Sequence, residues 1–217
     1  MSTKHKVSKA TGFHLKLREG TQKLHDEAES GNFQIRMVNG ELARREFSAF
    51  LCQMRHVHAV LDSLLEDAAL KDSRVNQIFD ESHKRLWRIE EDLNDLECFE
   101  KPSMLSSTKS FTEFITNLFD TNPVSLIGVL YVKEGATNGN KFMAKKLRET
   151  LGLGDDKVMG YLDPHGAEQR KKWNQFKIQL NELELTETEE SLCVSVAQET
   201  FRMMMNVTRE MSEVESV

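Results

Sequence analysis

Lys16-Leu17-Arg18-Glu19-Gly20-Thr21-Gln22-Lys23-Leu24-His25 is the stretch on which the fold turns. On a helix, Arg18, Thr21 and His25 stand at i, i+3 and i+7, so a cation, a hydroxyl and an imidazole share one face. Glu29 follows the histidine by one more turn. An imidazole that binds a metal through one nitrogen needs a hydrogen-bond acceptor on the other, and Glu29 can serve directly or through water. Read without a ligand, the same two residues are an ordinary i,i+4 surface pair worth a few tenths of a kcal/mol. Further on, Tyr131-Val132-Lys133-Glu134-Gly135-Ala136-Thr137-Asn138-Gly139-Asn140 sets Tyr131, Gly135 and Gly139 four apart on one helical face. A glycine inside a helix costs roughly 0.5–1 kcal/mol relative to alanine, so two on one face imply a close approach. Either a second helix or a flat ligand satisfies that spacing.

Working outward, residues 1–12 read as a flexible leader and 13–212 as one helical domain. A first helix is expected over 13–30, ended by Gly31-Asn32. A long amphipathic helix follows over 44–69, with Phe47, Phe50, Leu51, Met54, Val57, Leu61, Leu64 and Leu65 spaced by three and four. Another is expected over 82–96, with Leu86, Ile89 and Leu93 inward, and 98–108, holding Pro102 and three serines, is a connection. Asn122-Pro123 and Asp163-Pro164 each place a capping side chain before a proline at the first helical position. They open helices over 123–151 and 164–181. Thr186-Glu187-Thr188-Glu189 is a capping box for the last helix.

Composition agrees with an all-α chain: three prolines and two tyrosines among many Leu, Met, Glu, Lys and Arg. The 217 residues, 39% hydrophobic, suit one domain with a sizeable core. A net charge of −6 argues against nonspecific nucleic-acid or anionic-membrane binding. Cys52, Cys98 and Cys193 are widely spaced and odd in number, which fits a reducing compartment. With no apolar leader, no spanning segment and a short acidic C-terminus, a cytoplasmic protein without membrane anchor is expected.

Both stretches resemble the heme oxygenase family. The first matches its proximal helix, Lys-Leu-Arg-Glu-Gly-Thr-x-x-x-His, and the second its distal helix, Tyr-Val-x-Glu-Gly-x-x-x-Gly-Gly. A weaker match runs from Asn181-Glu182-Leu183-Glu184-Leu185-Thr186 to Phe201, so the resemblance covers about 15–211. The chain departs at Asn140, where the family has a second glycine. It departs again at Ala136, where mammalian and cyanobacterial members carry an aspartate that organises a water; Thr137 and Asn138 are candidates for an equivalent role.

The resemblance implies a single-domain, multi-helical heme oxygenase-like fold and a bacterial-type, biliverdin-producing enzyme. Heme would be cofactor and substrate, cleaved with dioxygen to biliverdin, carbon monoxide and iron. His25 would be the iron ligand with Glu29 behind it. Arg18, Thr21, Tyr131 and Lys177 would anchor the propionates, Phe201 would line the pocket, and Gly135 and Gly139 would lie closest to the iron-bound oxygen. An acidic ferredoxin or a flavoprotein reductase would supply electrons, steered by Lys141, Lys145, Lys146 and Arg148 with Lys16 and Lys23. Met203-Met204-Met205 reads as core filler, and His5, His14, His56, His58, His83 and His165 as structural or exposed.

Two alternatives come from other classes. One is a non-catalytic heme-binding or signalling member of the same fold. The other, a carboxylate-bridged diiron protein, is disfavoured because the chain has no Glu-x-x-His.

Overall fold

Apolar spacing along the chain, and carboxylates that cap helix starts from afar, together set the elements of the computed structural model. It describes residues 12–98, 102–154 and 159–214; the expected leader, apart from Gly12, lies outside them. Among the described residues there are nine α-helices and no strand: α1 Gly12–Glu29, α2 Asn32–Asn39, α3 Arg44–Lys71, α4 Ser73–Ile78, α5 Leu86–Asp95, α6 Ser106–Thr121, α7 Leu126–Thr150, α8 Gln169–Glu182 and α9 Glu187–Val214.

The two longest, α3 and α9, have 28 residues each and so run about 42 Å. On α3, Phe47, Phe50, Leu51, Met54, Val57, Leu61 and Leu65 are buried, as the three-and-four spacing requires. The α3 start lacks a serine or threonine; the Glu46 carboxylate accepts the Ala43 N–H at 2.7 Å instead. At α9 the expected capping box forms, with Thr186 N–H on Glu189 at 2.9 Å and Glu189 N–H on the Thr186 hydroxyl at 3.3 Å.

Where structure and sequence reading differ, a distant partner is usually the cause. The helix expected over 82–96 is broken into a 3₁₀ turn, Glu81–His83, and α5. The break follows from Asp62 on α3, whose Oδ2 accepts the Arg85 and Leu86 N–H groups at 2.7 and 2.8 Å and so caps α5. Likewise α6 begins inside the expected connection because Glu210 on α9 accepts the Ser106 and Ser107 N–H groups at 3.1 and 2.7 Å. After Pro123 a 3₁₀ turn, Pro123–Ser125, leads into α7, and Asn122 caps with its carbonyl rather than its side chain. Asp163 accepts the Gly166 N–H at 3.1 Å, but α8 starts only at Gln169 after another 3₁₀ turn. The short α2 buries Phe33 and Met37 and stops at Gly40, whose φ of 70° is natural only for glycine.

In the assembled molecule α9 packs against α1, α6 and α7, while α3 packs against α4, α5 and α6. The close helix contacts fall at glycines that the sequence reading passed over. A Cβ at Gly128 would stand 2.4 Å from the Cys193 carbonyl oxygen, and one at Gly20 would stand 2.5 Å from Val194 Cγ1. Backbone contact at Gly128 fixes α7 on α9, and with it everything α7 carries. Among the described residues no helix is long and apolar enough to cross a membrane.

Candidate functional site

Between α1, α3, α7 and α9 lies a cleft of about 260 Å³, walled by apolar side chains such as Met37, Phe50, Met54, Val57, Val129 and Met143. His25 and Glu29 border it from α1, and Phe201 borders it from α9. The His25 side chain is about half exposed, with Nε2 3.7 Å from Glu29 Oε1 and Nδ1 3.7 Å from Asp26 Oδ1. Both spans are too long for a direct bond and within reach of one bridging water. So either ring nitrogen can take a ligand while a carboxylate serves the other, a second option the sequence reading, confined to Glu29, did not include. The Phe201 ring meets His25 edge-on at 6.0 Å.

From α7 the cleft receives Gly135, Ala136, Thr137, Asn138, Gly139 and Asn140. The two glycines face space rather than a helix backbone. A Cβ at Gly139 would meet nothing within 4 Å, and one at Gly135 would meet only Trp173 Cη2 at 3.6 Å. Packing between helices therefore uses Gly128, and Gly135 and Gly139 leave a bare backbone strip along the cleft. Thr137 does not offer a free hydroxyl: it donates to the Glu134 carbonyl and accepts from the Gln169 amide. Asn138 donates to the Gly135 carbonyl at 2.9 Å. Met204 borders the cleft too, so the methionine triplet is not core filler alone.

Four expected anchors lie outside the cleft lining, at the α1, α7 and α8 junction. Thr21 is buried and its hydroxyl donates to the Leu17 carbonyl at 2.7 Å, one turn back. The Tyr131 phenol is pushed up by burial, partly offset by its hydrogen bond to Thr21. Arg18 is exposed, and Lys177 extends over the Trp173 ring at 5.9 Å. Burial lowers the Lys177 ammonium, and Arg170 and Arg18 lower it further, which places three cations together. Among the described residues no carboxylate pairs with any of the three. His14 sits beside them, its ring edge-on to Tyr131 and Trp173, and burial with the Lys177 and Arg18 charges brings it down to about 4. A group of unpaired cations next to a tyrosine hydroxyl has the chemistry to bind carboxylates.

Of the expected docking cations, Lys16 is committed to Glu190 on α9, and Lys141 donates to the Gly166 carbonyl at 3.0 Å. Lys145 and Lys146 are exposed beside Phe142.

Behind α7 lies a buried ionic group that sequence reading missed. Arg85 is 1% exposed and donates to Glu134 Oε1 at 2.7 Å. His165 Nε2 stands 3.0 Å from Glu134 Oε2, and Lys133 stands 3.2 Å from Oε1. Burial would raise Glu134, but Arg85 and Lys133 hold it well below the usual carboxylate range. Burial and Arg85 depress Lys133 to about 8. His58 and Asp62 adjoin this group as a buried pair, Nδ1 to Oδ1 at 3.1 Å. Their i,i+4 spacing was the one sign of it in the sequence. Arg85, Lys133 and His58 all reach the cleft, and two of the histidines read as structural or exposed, His165 and His58, belong to or adjoin this one polar assembly. A further carboxylate, Asp92 on α5, accepts the Gly160 and Tyr161 N–H groups at 2.7 and 2.8 Å and brings the Tyr161 ring into the cleft wall.

The family model for heme oxygenase matches residues 11–210. A curated heme oxygenase from Rhodella violacea is 22% identical, over 93% of this chain and 88% of its own. Among solved structures, heme oxygenase-2 from Synechocystis, in complex with heme and NO, superposes with a TM-score of 0.87 at 20% identity, over 94% of this chain and 86% of that one. Heme oxygenase from Leptospira interrogans superposes at 0.85 with 21% identity, over 92% of this chain and 100% of that one.

Proposed function

Since the chain belongs to the heme oxygenase family, we infer that it binds heme in this cleft and opens the ring to biliverdin, carbon monoxide and iron. The observation that carries the reading is one apolar cleft bordered on α1 by an accessible imidazole and on α7 by a bare glycine strip. Bound heme supplies the iron that activates dioxygen and is itself the ring that is cut.

The chain's own residues have distinct parts. His25 offers a nitrogen to the iron, and Glu29 or Asp26 fixes the other nitrogen through water. Gly135 and Gly139 let a flat ring and a small oxygen ligand approach the α7 backbone. Arg18, Lys177 and Tyr131, with Arg170, receive the propionates; Thr21 acts on them through Tyr131. Phe201 holds the ring edge and limits water entry. Lys145 and Lys146 offer positive charge to an acidic electron donor, a ferredoxin or a flavoprotein reductase. A hemin titration followed by absorption tests the binding part: wild type should bind one equivalent, and His25→Ala should lose the axial imidazole spectrum. Identical spectra would remove His25 from the account.

A second reading, heme held but not opened, draws on Ala136, which gives the cleft no carboxylate, and on Thr137, whose hydroxyl is already engaged. Stoichiometric hemin binding without bile pigment under reducing conditions would identify it.

A further inference from the structure

On α7, Glu134, Thr137, Asn138 and Lys141 stand at i, i+3, i+4 and i+7, along one stripe of the helix. At 3.6 residues per turn that stripe is turned away from Gly139, so it backs the bare strip that borders the cleft. One short segment holds all four residues. His165 Nε2 stands 3.0 Å from Glu134 Oε2, and Lys141 donates to the Gly166 carbonyl at 3.0 Å. Between them the Gln169 amide donates to the Thr137 hydroxyl at 2.5 Å and meets Asn138 Oδ1 at 3.4 Å. Asp163 closes the segment on itself by accepting the Gly166 N–H at 3.1 Å.

Gln169 is the centre of this contact. It is the first residue of α8 and 5% exposed, and its Oε1 is buried with no partner among the described residues. An amide buried with its oxygen unmet is costly, and its N–H is spent on α7. One turn later Trp173, stacked on Phe176 at 5.7 Å, reaches the strip itself, with Cη2 3.6 Å from where a Gly135 Cβ would stand. Helix α8 therefore meets α7 both behind the strip and beside it. Thr137 in turn donates to the Glu134 carbonyl, and Asn138 to the Gly135 carbonyl, so the clamped side chains are bonded to the backbone that carries the strip. Such a tether fixes how far the strip stands from whatever fills the cleft.

We propose that Gln169 is a positioning residue for the open side of the bound ring: acting through Thr137, it keeps the bare α7 strip from receding, so that only a small ligand fits between the strip and the iron. The inference rests on the heme-binding reading above and concerns which ligands that site admits. A bulky ligand has to push α7 back against Gln169, and the packed amide resists; dioxygen needs no such movement. Shortening Gln169 removes the tether and leaves a space behind α7 into which the helix can move.

The test is to titrate the ferric hemin complex separately with azide and with imidazole, read by absorption. In Gln169→Ala the affinity for imidazole relative to azide should rise about fivefold to tenfold over wild type, the range in which one neutral hydrogen bond falls. A role in stability alone would lower the urea midpoint and leave that ratio where it was. Thr137→Val removes the acceptor and should shift the ratio the same way. Adding it to Gln169→Ala should bring little more, because both break one link. An unchanged ratio in Gln169→Ala overturns the inference, and so do two shifts that simply add. If wild type binds no hemin, the proposed function falls and the inference with it; hemin bound normally with an unmoved ratio removes the inference alone. Should Gln169→Ala not fold, Gln169→Met replaces it. That variant keeps the volume, drops the amide with its unmet Oε1, and should still raise the ratio; no rise there overturns the inference.

Discussion

His25 is accessible: its side chain is 49% exposed and stands at the edge of the cleft, as the proposed ligand role requires. The glycines divide between a helix contact and open space. Gly128 touches the α9 backbone, so Gly128→Ala should cost about 1–3 kcal/mol through overpacking, read as a lower urea midpoint of the apoprotein. Gly139 faces open space, so Gly139→Leu should leave that midpoint unchanged or slightly higher, given a helix-propensity gain of roughly 0.5–1 kcal/mol. The same variant should weaken hemin binding at least tenfold. Normal hemin affinity in Gly139→Leu would mean that the bare strip has no ligand to admit. The spacing of Gly135 and Gly139 was legible in the sequence, but it could not tell ligand from helix, nor show that Gly128 is the true packing contact. That distinction depends on which face α7 turns to α9.

Among the elements, α3, α7 and α9 were readable because their own side chains specify them: a three-and-four apolar stripe, a proline at the start, a capping box. Two elements whose starts were misread, α5 and α6, begin where Asp62 and Glu210 reach across from other helices, and no local pattern carries that information. The 3₁₀ turn ahead of α5 also carries a pH signature. His83 is brought to about 4 mainly by burial, and its Nδ1 accepts the Asp80 N–H at 2.9 Å. Its folded value lies below the ordinary 6.5, so folding favours the neutral ring. The stability this gives is complete above about pH 6.5 and is lost as pH falls toward 4. His14 acts with the same sign. Asp92 opposes them: burial raises it to about 7, so the stability tied to its proton is present below pH 4 and is lost as pH rises through 7. Two histidines outweigh one carboxylate, so the apoprotein should weaken between pH 7 and pH 5. His83→Phe, which keeps the ring contacts with Phe79 and Phe176, should flatten that slope in urea unfolding. An equal slope in wild type and variant would show that His83 is not its source.

For the whole molecule, the described helices bring the His25 imidazole and a bare strip of α7 to a shared cleft, and set a group of cations, unpaired among the described residues, at the α1, α7 and α8 junction. The histidine and the glycine strip could be read from two ten-residue stretches. The buried Arg85, Glu134 and Lys133 group, with His58 beside it, could not, since its members come from three separated segments. The charge on the far end of α7 makes its own prediction. Reversal at both Lys145 and Lys146 should slow turnover driven by an acidic protein donor and leave ascorbate-driven turnover unchanged; an equal loss in both would rule out docking there. The central claim is tested most directly by adding hemin to the purified protein, supplying ascorbate with catalase present, and following the absorption spectrum. The account predicts one equivalent bound, then loss of the heme band with biliverdin appearing. A bound heme that persists unchanged would contradict ring opening, and no binding at all would contradict the site.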